Sequence, residues 1–334
     1  MSYLEFFNRF PLLEKKEYIW DEMQPPKKKG NINKISYYIG TKTINNNEEF
    51  LFVKEFYIKF NDLYQLLKEA YFNFSLKAYD YFQKDITILL TNDKEYLYII
   101  SKGEKTSIKN LIDSQIFNYK DEVGLTKWII YQITFGLYIL HKNNIIHHDI
   151  KPSNILVSKD GSISICDFGS AIFKNEESNS YTLSYSAPEL LINTYKINEK
   201  YDMWCLGVLI LELYLKKSQI FRNKKAEHRK KFFALFGVGD YTIAENLKNF
   251  KINDNIINQV NDKSAKNLIK NLLSFDPNKR HSAEDILKSD FLEEYEGIDS
   301  FQINEIKFPF DFEEISENGI DKDKFLELII PTIG

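Results

Sequence analysis

Cysteine is nearly absent from the sequence, which has two in 334 residues, Cys166 and Cys205. Both lie inside apolar runs, so we interpret them as small buried hydrophobic residues of a protein in a reducing compartment. Neither a disulfide framework nor a cysteine-based metal site is expected from so few thiols.

A strong charge of one sign is also missing. The 44 lysines and arginines are balanced by 48 aspartates and glutamates, which leaves a net charge of −4. Such a balance provides no basic surface for nucleic acid, and no nucleic-acid partner is expected. With 43% hydrophobic and 28% charged residues the chain is typical of globular proteins. Its length is sufficient for a full core and predicts two lobes or domains.

Long apolar runs are lacking as well. The longest, residues 128–140, is shorter than the ~20 residues that a helix needs to cross a bilayer, and it contains Gln132. At the N-terminus Glu5, Asn8 and Arg9 interrupt the apolar residues, unlike the order of a secretory signal. We therefore expect a soluble protein without a membrane segment, located in the cytoplasm, the nucleus or both.

The densest group of reactive side chains lies near the middle, in residues 147–154, HHDIKPSN. A short strand at 155–157 and a hairpin turn at 159–162 follow, and DFG occupies residues 167–169. Two carboxylates, a carboxamide and an ammonium on such a rigid unit suit phosphoryl transfer. That reaction needs a group to orient the attacking hydroxyl, oxygen ligands for magnesium and positive charge near the leaving phosphate.

The two motifs resemble the catalytic loop and the magnesium-binding turn of eukaryotic-type protein kinases, HxDxKPxN followed by DFG. The resemblance implies an α+β, bilobal protein kinase fold, with a small, mostly β N-terminal lobe that has one helix and a larger, mostly α C-terminal lobe. It implies an N-terminal lobe with an extension at 1–101, a hinge at 102–105 and a C-terminal lobe at 106–296. Residues 297–334 would form a tail that packs back on the N-terminal lobe.

The resemblance also implies a role for each group of the central motifs. Asp149 would orient the substrate hydroxyl and accept its proton, and Lys151 would stabilise the transferring phosphoryl group. Asn154 and Asp167 would bind magnesium, and Leu156 would lie beneath the adenine of ATP.

Two side chains of the N-terminal lobe resemble the ion pair that holds the ATP phosphates. Lys54 ends the predicted strand 50–54 and aligns with the phosphate-binding lysine of the family. Glu69 lies on a predicted helix that begins at Asp62, and it resembles the glutamate that pairs with this lysine.

The segment 27–35, KKKGNINKI, resembles the phosphate-covering loop imperfectly. Only Gly30 survives, while Lys28 and Asn33 occupy the other glycine positions, where the backbone must approach phosphate closely. Gly30 and Ile35 are the predicted ATP contacts of this segment. A lysine-rich surface turn is the alternative.

Further ATP contacts are implied by alignment. Ser101 would guard the back of the pocket, and Lys102 and Glu104 would offer backbone groups to adenine from the hinge. Phe52 stands where the family usually has alanine, so it would fill part of the space that the nucleotide needs.

Residues 182–189, TLSYSAPE, resemble the T-x-x-Y-x-APE segment of serine/threonine kinases. In that role Thr182 would bridge Asp149 and Lys151 and favour aliphatic hydroxyls as substrates. His148 replaces an arginine that often receives a phosphate from the activation segment, so we do not expect switching by phosphorylation there.

Three further residues are implied to fix the substrate-binding part of the C-terminal lobe. Asp202, at the start of an apolar helix, would hold the backbone of the catalytic loop. Arg280 belongs to a late D-P-x-x-R motif and would pair with Glu189 of the APE segment.

Sequence features near the C-terminus resemble the branch of the mitogen-activated and cyclin-dependent kinases. They are FPFDF at 308–312 and FLELII at 325–330, the tail segments of that branch. Glu296 and Asp299 would form an acidic docking patch for basic partner motifs, and a solvated acidic turn is the alternative. The paired Thr-x-Tyr phosphorylation site of the branch is missing.

The sequence thus supports, as its first hypothesis, an ATP- and Mg²⁺-dependent serine/threonine kinase that acts on protein substrates, and we expect it to be a monomer. A pseudokinase acting as a nucleotide- or partner-binding module is the alternative. A small-molecule phosphotransferase would not explain the segment 182–189, which is typical of a peptide-binding platform.

Overall fold

The computed structural model describes residues 35–44, 47–90, 94–102, 106–114, 122–174, 176, 185–192, 197–218, 220, 254–297 and 303–329. The predicted features at Lys28, Gly30, Asn33, Glu104, Thr182 and Asp299 lie outside these residues, as does the side chain of Lys102. The chain divides into two compact units. The first comprises residues 1–105, 166–169 and 306–334, and the second comprises 106–165 and 170–305.

Within the described residues the elements follow in chain order. The strands are β1 (Ile35–Ile44), β2 (Asn47–Tyr57), β3 (Thr87–Leu90), β4 (Tyr96–Lys102), β5 (Thr106–Ser107), β6 (Ile145–Ile146), β7 (Ile155–Val157), β8 (Ile163–Ile165) and β9 (Ile172–Phe173). The helices are α1 (Leu63–Leu76), α2 (Ile108–Asp113), α3 (Glu122–Lys142), α4 (Pro188–Ile192), α5 (Lys200–Leu215), α6 (Asp254–Ile257), α7 (Lys263–Leu272), α8 (Ala283–Leu287), α9 (Phe312–Asn318) and α10 (Lys322–Ile329).

The first unit is built on an antiparallel sheet in the order β1-β2-β4-β3. Strand β2 is longer than the predicted 50–54, because the backbone ladder continues through polar residues whose side chains give no strand signal. Strand β4 includes Lys102, so this residue ends a strand, whereas the sequence placed it in the hinge.

Helix α1 begins where the sequence predicted. The Asp62 carboxylate accepts hydrogen bonds from the backbone N–H groups of Tyr64 and Gln65 at 3.0 and 3.1 Å, as an N-cap residue does. Leu66, Leu67 and Ala70 are buried on this helix, in agreement with the predicted apolar face.

The C-terminal residues of the first unit pack on α1. The Tyr71 hydroxyl donates a hydrogen bond to the backbone oxygen of Leu328 at 2.7 Å. The Tyr71 ring also contacts Phe310 edge to face, with ring centroids 4.8 Å apart. Helix α10 lies against α1, and its Phe325 is fully buried. The tail therefore holds one side of the helix that carries Glu69.

The second unit contains two helices that are apolar on most sides, α3 and α5. The sequence predicted that the apolar segment around residues 128–140 is too short to cross a membrane. That prediction was wrong about length, because helix α3, which contains the segment, has 21 residues. The helix continues past the run 128–140 at both ends. In the part of the chain that the structure describes, Val123–Lys142 alone has the length and composition of a membrane span, and 67% of it is buried inside the protein.

The two cysteines differ in environment. Cys205 is buried in α5, whereas Cys166 is only half-buried, so the prediction of a buried thiol was wrong for Cys166. It directly follows β8 and precedes Asp167, so it lies just outside the strand, whose three residues are all buried.

Helices α5 and α7 approach each other closely at Gly207. A Cβ atom on this glycine would lie 2.8 Å from the Leu272 Cβ and 3.0 Å from the Leu273 Cδ2. Real Cβ atoms do not approach that closely, so glycine at 207 permits the packing of α5 on α7.

We predict that Gly207→Ala destabilises the protein, although alanine favours helix by about 1 kcal/mol. The added methyl overpacks the α5–α7 contact, which costs about 1–3 kcal/mol. Urea unfolding followed by tryptophan fluorescence measures the effect as a lower midpoint. A midpoint at or above that of the wild type would contradict this account of the helix contact.

Candidate functional site

In the first unit three predicted residues meet at one ammonium group. Lys54 donates to Glu69 Oε1 at 2.5 Å and to Asp167 Oδ1 at 2.9 Å. Strand β2 delivers the lysine and α1 delivers the glutamate, while Asp167 follows β8 by two residues. The arrangement places one positive charge between two carboxylates that are far apart in sequence.

Burial dominates the electrostatics of Glu69. Its side chain is removed from water, which raises the pKa of the carboxyl; the Lys54 ammonium opposes this effect and the Asp167 carboxylate adds to it. The net direction is a raised pKa. The ionised form of Glu69 therefore depends on the Lys54 ammonium, and the two side chains act as a pair.

The turn 167–169 fits closely against this pair. Asp167 has a φ of +68°, a left-handed conformation that is uncommon for a residue with a Cβ. A Cβ on Gly169 would lie 3.1 Å from Glu69 Oε2 and 3.3 Å from Lys54 Nζ, so a larger residue there would crowd the ion pair. The buried Phe168 ring lies between Phe72 and Phe82, with ring centroids at 6.2 and 6.0 Å.

The other predicted nucleotide contacts of the first unit lie on or beside the sheet. Ser101 is buried in β4 directly opposite Phe52 of β2. Its hydroxyl accepts a hydrogen bond from Gln83 at 2.9 Å, a contact that the sequence did not indicate. Ile35 is the half-buried first residue of β1. Their binding of ATP stays a prediction.

In the second unit the loop 147–154 forms its own polar cluster. Asp149 Oδ2 accepts hydrogen bonds from Lys151 at 2.5 Å and from the Asn154 amide at 3.1 Å. The same amide donates to the Asp149 backbone oxygen at 2.9 Å. Asp149 Oδ1 is buried and has no hydrogen-bond partner among the described residues. A buried acceptor without a partner is unusual in a folded protein.

Asp202 holds the backbone of this loop, as the sequence resemblance implied. Its carboxylate accepts from the N–H groups of His147 and His148, both at 2.9 Å, and it lies 3.0 Å from His141 Nε2. Burial favours the neutral acid, but the His141 contact and the His147 N–H outweigh it, so the pKa of Asp202 lies below its usual value.

His148 is a packed residue of the loop. Its ring is fully buried, and its centroid lies 4.5 Å from that of Tyr201. Its φ of +63° is left-handed, a conformation that is costly for a residue with a Cβ. The hydrogen bonds from the His147 and His148 N–H groups to Asp202 hold the backbone in this conformation.

Glu189 and Arg280 form a buried bidentate ion pair. Arg280 donates to both carboxylate oxygens at 2.7 Å. Its remaining N–H groups bond to backbone oxygens of Ser274, Lys200 and Phe275. A guanidinium with this many partners fixes the start of α4 to the segment before α8.

The residues before α4 are attached to α5. The Tyr185 hydroxyl donates to Glu212 at 2.8 Å, and the Cys205 thiol lies 3.3 Å from the Tyr185 backbone oxygen. Burial, together with the Glu212 carboxylate, raises the pKa of Tyr185. The sequence did not indicate the Tyr185–Glu212 bond, although Glu212 is a charged residue within the apolar helix α5.

Leu156 is half-buried at the centre of β7, and Glu296 is exposed directly after the turn 293–295. Among the described residues no group of three or more His, Cys, Asp or Glu side chains is placed to hold a metal ion. Asn154 and Asp167, the predicted magnesium ligands, offer the oxygen atoms that Mg²⁺ prefers, and Mg²⁺ usually completes its shell with water and substrate phosphates.

We predict that Asp202→Asn lowers the free energy of unfolding near pH 7 by about 2–3 kcal/mol, because charge-assisted hydrogen bonds to the loop are weakened. Since the folded pKa is below the unfolded value of ~3.9, the carboxylate stabilises the fold above that value, and this is lost as the pH falls through the folded pKa.

Urea unfolding of both proteins near pH 7 and near pH 3.5 measures the difference, which should shrink at the lower pH. The exposed Asp254→Asn is the matched control and should leave unfolding unchanged. A difference of equal size at both pH values would contradict the assignment to the Asp202 charge.

The chain was compared with known proteins. The family model described as "Protein kinase domain" matches residues 37–292. Mitogen-activated protein kinase 13 of Arabidopsis thaliana is 28% identical over 265 residues, which cover 74% of this chain and 71% of that protein.

Two other relatives are shorter matches. Mitogen-activated protein kinase HOG1 of Kluyveromyces lactis is 29% identical over 65% of this chain and 52% of its own length. Mitogen-activated protein kinase 3 of Arabidopsis thaliana is 30% identical over 61% of this chain and 59% of its own. The chain therefore spans between about half and seven tenths of these relatives. The resemblance and the fold class inferred from the motifs are confirmed.

Proposed function

The chain belongs to the protein kinase family, and we propose that it is an active, ATP- and Mg²⁺-dependent serine/threonine kinase of the mitogen-activated type. It would transfer the γ-phosphate of ATP to hydroxyl groups of protein substrates. The single observation that carries this proposal is the Lys54 ammonium between the carboxylates of Glu69 and Asp167.

The first unit supplies the groups for the nucleotide. Lys54 would bind the phosphates of ATP while Glu69 holds its ammonium in place, and Asp167 would offer its carboxylate to magnesium. When bound, ATP would supply the phosphoryl group and magnesium would supply positive charge that offsets the negative charge of the phosphates. The raised pKa of Glu69 makes this pair sensitive to any change that removes the lysine charge.

The second unit supplies the group for the attacking hydroxyl. Lys151 and Asn154 fix one carboxylate oxygen of Asp149, and the other oxygen is buried and without a partner. A substrate hydroxyl that donates to this second oxygen would be oriented for attack and could pass its proton to Asp149. Lys151 would add positive charge near the transferring group.

The preference for serine and threonine rests on the motif 182–189 and on the similarity to mitogen-activated protein kinases. The described end of that segment supports a fixed platform for a peptide, since Tyr185 is bonded to Glu212 and Glu189 to Arg280. We further propose that the kinase works as a monomer in the cytoplasm or the nucleus. Glu296 would contact basic partner segments.

One observation favours a second function, that of a pseudokinase that binds a partner or a nucleotide without catalysis. Phe52 is half-buried opposite Ser101 and shares a face of β2 with Lys54. A phenyl group there occupies space near the lysine that a nucleotide would need. A thermal shift assay separates the two functions. An active kinase requires that ATP with magnesium raises Tm, and the absence of a magnesium-dependent shift would favour the pseudokinase.

We predict that Asp149→Asn lowers kcat about 10²- to 10⁴-fold, because the general base is lost, while the protein still binds Mg-ATP. Transfer of labelled phosphate to a generic basic protein measures the rate, and calorimetry measures nucleotide binding. The exposed Asp80→Asn serves as the matched control and should transfer phosphate at the wild-type rate. Equal rates for Asp149→Asn and the wild type would refute the proposed role of Asp149.

A further inference from the structure

One face of α1 contacts the turn 167–169 at three points. Gln65, Glu69 and Phe72 are spaced four and three residues apart, so they lie on the same side of the helix. Glu69 reaches the turn through Lys54, and the Phe72 ring lies 6.2 Å from that of Phe168.

Gln65 makes the third contact, with the backbone of the turn. Its amide Nε2 donates to the Gly169 oxygen at 2.9 Å, across 104 residues of sequence. Each residue of the turn is thereby matched with one residue of α1. Lys54 links Glu69 to Asp167, and the Phe72 ring contacts the Phe168 ring. Gln65 donates a hydrogen bond to the Gly169 oxygen.

The turn needs such contacts because its backbone is strained. Asp167 has a φ of +68°, and a residue with a Cβ in the left-handed region costs about 1–3 kcal/mol relative to an extended one. The carboxylate of Asp167 nevertheless lies 2.9 Å from Lys54. A hydrogen bond to the Gly169 oxygen restrains the peptide two residues further on and thus opposes relaxation of the turn.

Helix α1 is itself anchored on another side. The Tyr71 hydroxyl bonds to the Leu328 backbone oxygen at 2.7 Å, and Phe310 packs on its ring. Because the helix is held by the tail, the Gln65 bond positions the turn relative to the helix.

The chemical type of residue 65 also matters. A lysine or arginine four residues before Glu69 would form an ion pair with it along the helix and compete with Lys54. A glutamine donates a hydrogen bond without charge, so it can hold the Gly169 oxygen and leave the Lys54–Glu69 pair undisturbed.

We propose that Gln65 is a positioning residue, which acts through the turn 167–169 to keep the Asp167 carboxylate beside Lys54. Its consequence for catalysis rests on the proposed kinase function, because that function assigns magnesium to Asp167. The hydrogen bond needs no phosphate on the protein, so α1 and the turn are held together in the unmodified chain.

Two variants of the full chain test the proposal. Gln65→Glu keeps the size of the side chain but turns an acceptor toward the Gly169 oxygen, and Gln65→Met keeps the length but has no donor. The matched control is Gln259→Glu. This exposed glutamine also donates to a backbone oxygen, that of Asn255 at 2.9 Å, and it undergoes the same change of charge.

The first readout is hydrogen exchange of the backbone amides of residues 166–170 in the nucleotide-free protein. We expect exchange roughly fivefold to twentyfold faster in both Gln65 variants, as for the loss of one hydrogen bond, and unchanged exchange in the control. Where Gln65→Glu fails to fold, Gln65→Met provides the same comparison.

The second readout is the Mg²⁺ concentration for half-maximal phosphate transfer. It should rise by a similar factor in the Gln65 variants, while the KM for the protein substrate and the rate at saturating Mg²⁺ stay near wild type. If Gln65 had a purely structural role, the variants would have a lower Tm. Exchange at 166–170 would then change no more than exchange in the rest of the chain, and the Mg²⁺ dependence would stay the same. That result would overturn the proposal.

The two proposals can fail separately. A wild type that transfers no phosphate, together with faster exchange in the Gln65 variants, would refute the kinase activity and support the positioning of the turn. An active wild type with Gln65 variants that match it in both readouts would refute the role of Gln65 and leave the kinase activity standing.

Discussion

The ion pair that Lys54 makes with Glu69 and Asp167 is the interaction on which the candidate site of the first unit depends. Burial alone would drive Glu69 toward its neutral form, and two nearby carboxylates would repel each other without a cation between them. The Lys54 ammonium bonds to each carboxylate, so it favours the ionised form of Glu69 and offsets the repulsion between Glu69 and Asp167. Gly169 packs closely against this ion pair, and Asp167 reaches the ammonium from a left-handed backbone conformation.

A buried aspartate has the corresponding role in the second unit. Asp202 accepts two backbone N–H groups of the loop 147–154 and so fixes the peptide from which Asp149 projects. Lys151 and Asn154 then hold one oxygen of Asp149, while the other oxygen is buried and has no hydrogen-bond partner among the described residues. In the first unit a charged side chain thus holds two others, whereas in the second unit a buried charge holds the backbone that carries Asp149.

Residues with distinctive chemistry at fixed spacing were predictable from the sequence. Lys54, Glu69 and the pair Glu189–Arg280 could be named because they align with motifs of the protein kinase family. Gln65 could not, since its partner is a backbone oxygen, which leaves no trace in the sequence. The full length of β2 was missed because backbone pairing continues through polar residues, and the half-burial of Cys166 because burial depends on tertiary packing that a local apolar run does not show.

The central claim is that the Lys54 ammonium controls the charge of Glu69. The most direct test is a carbon-13 NMR titration of the Glu69 carboxyl in nucleotide-free wild type and in Lys54→Met, a variant of similar length without the charge. Because the ammonium favours the ionised carboxylate, the account predicts that the pKa of Glu69 rises further in Lys54→Met than in the wild type. An unchanged or lower pKa of Glu69 in the variant would contradict it.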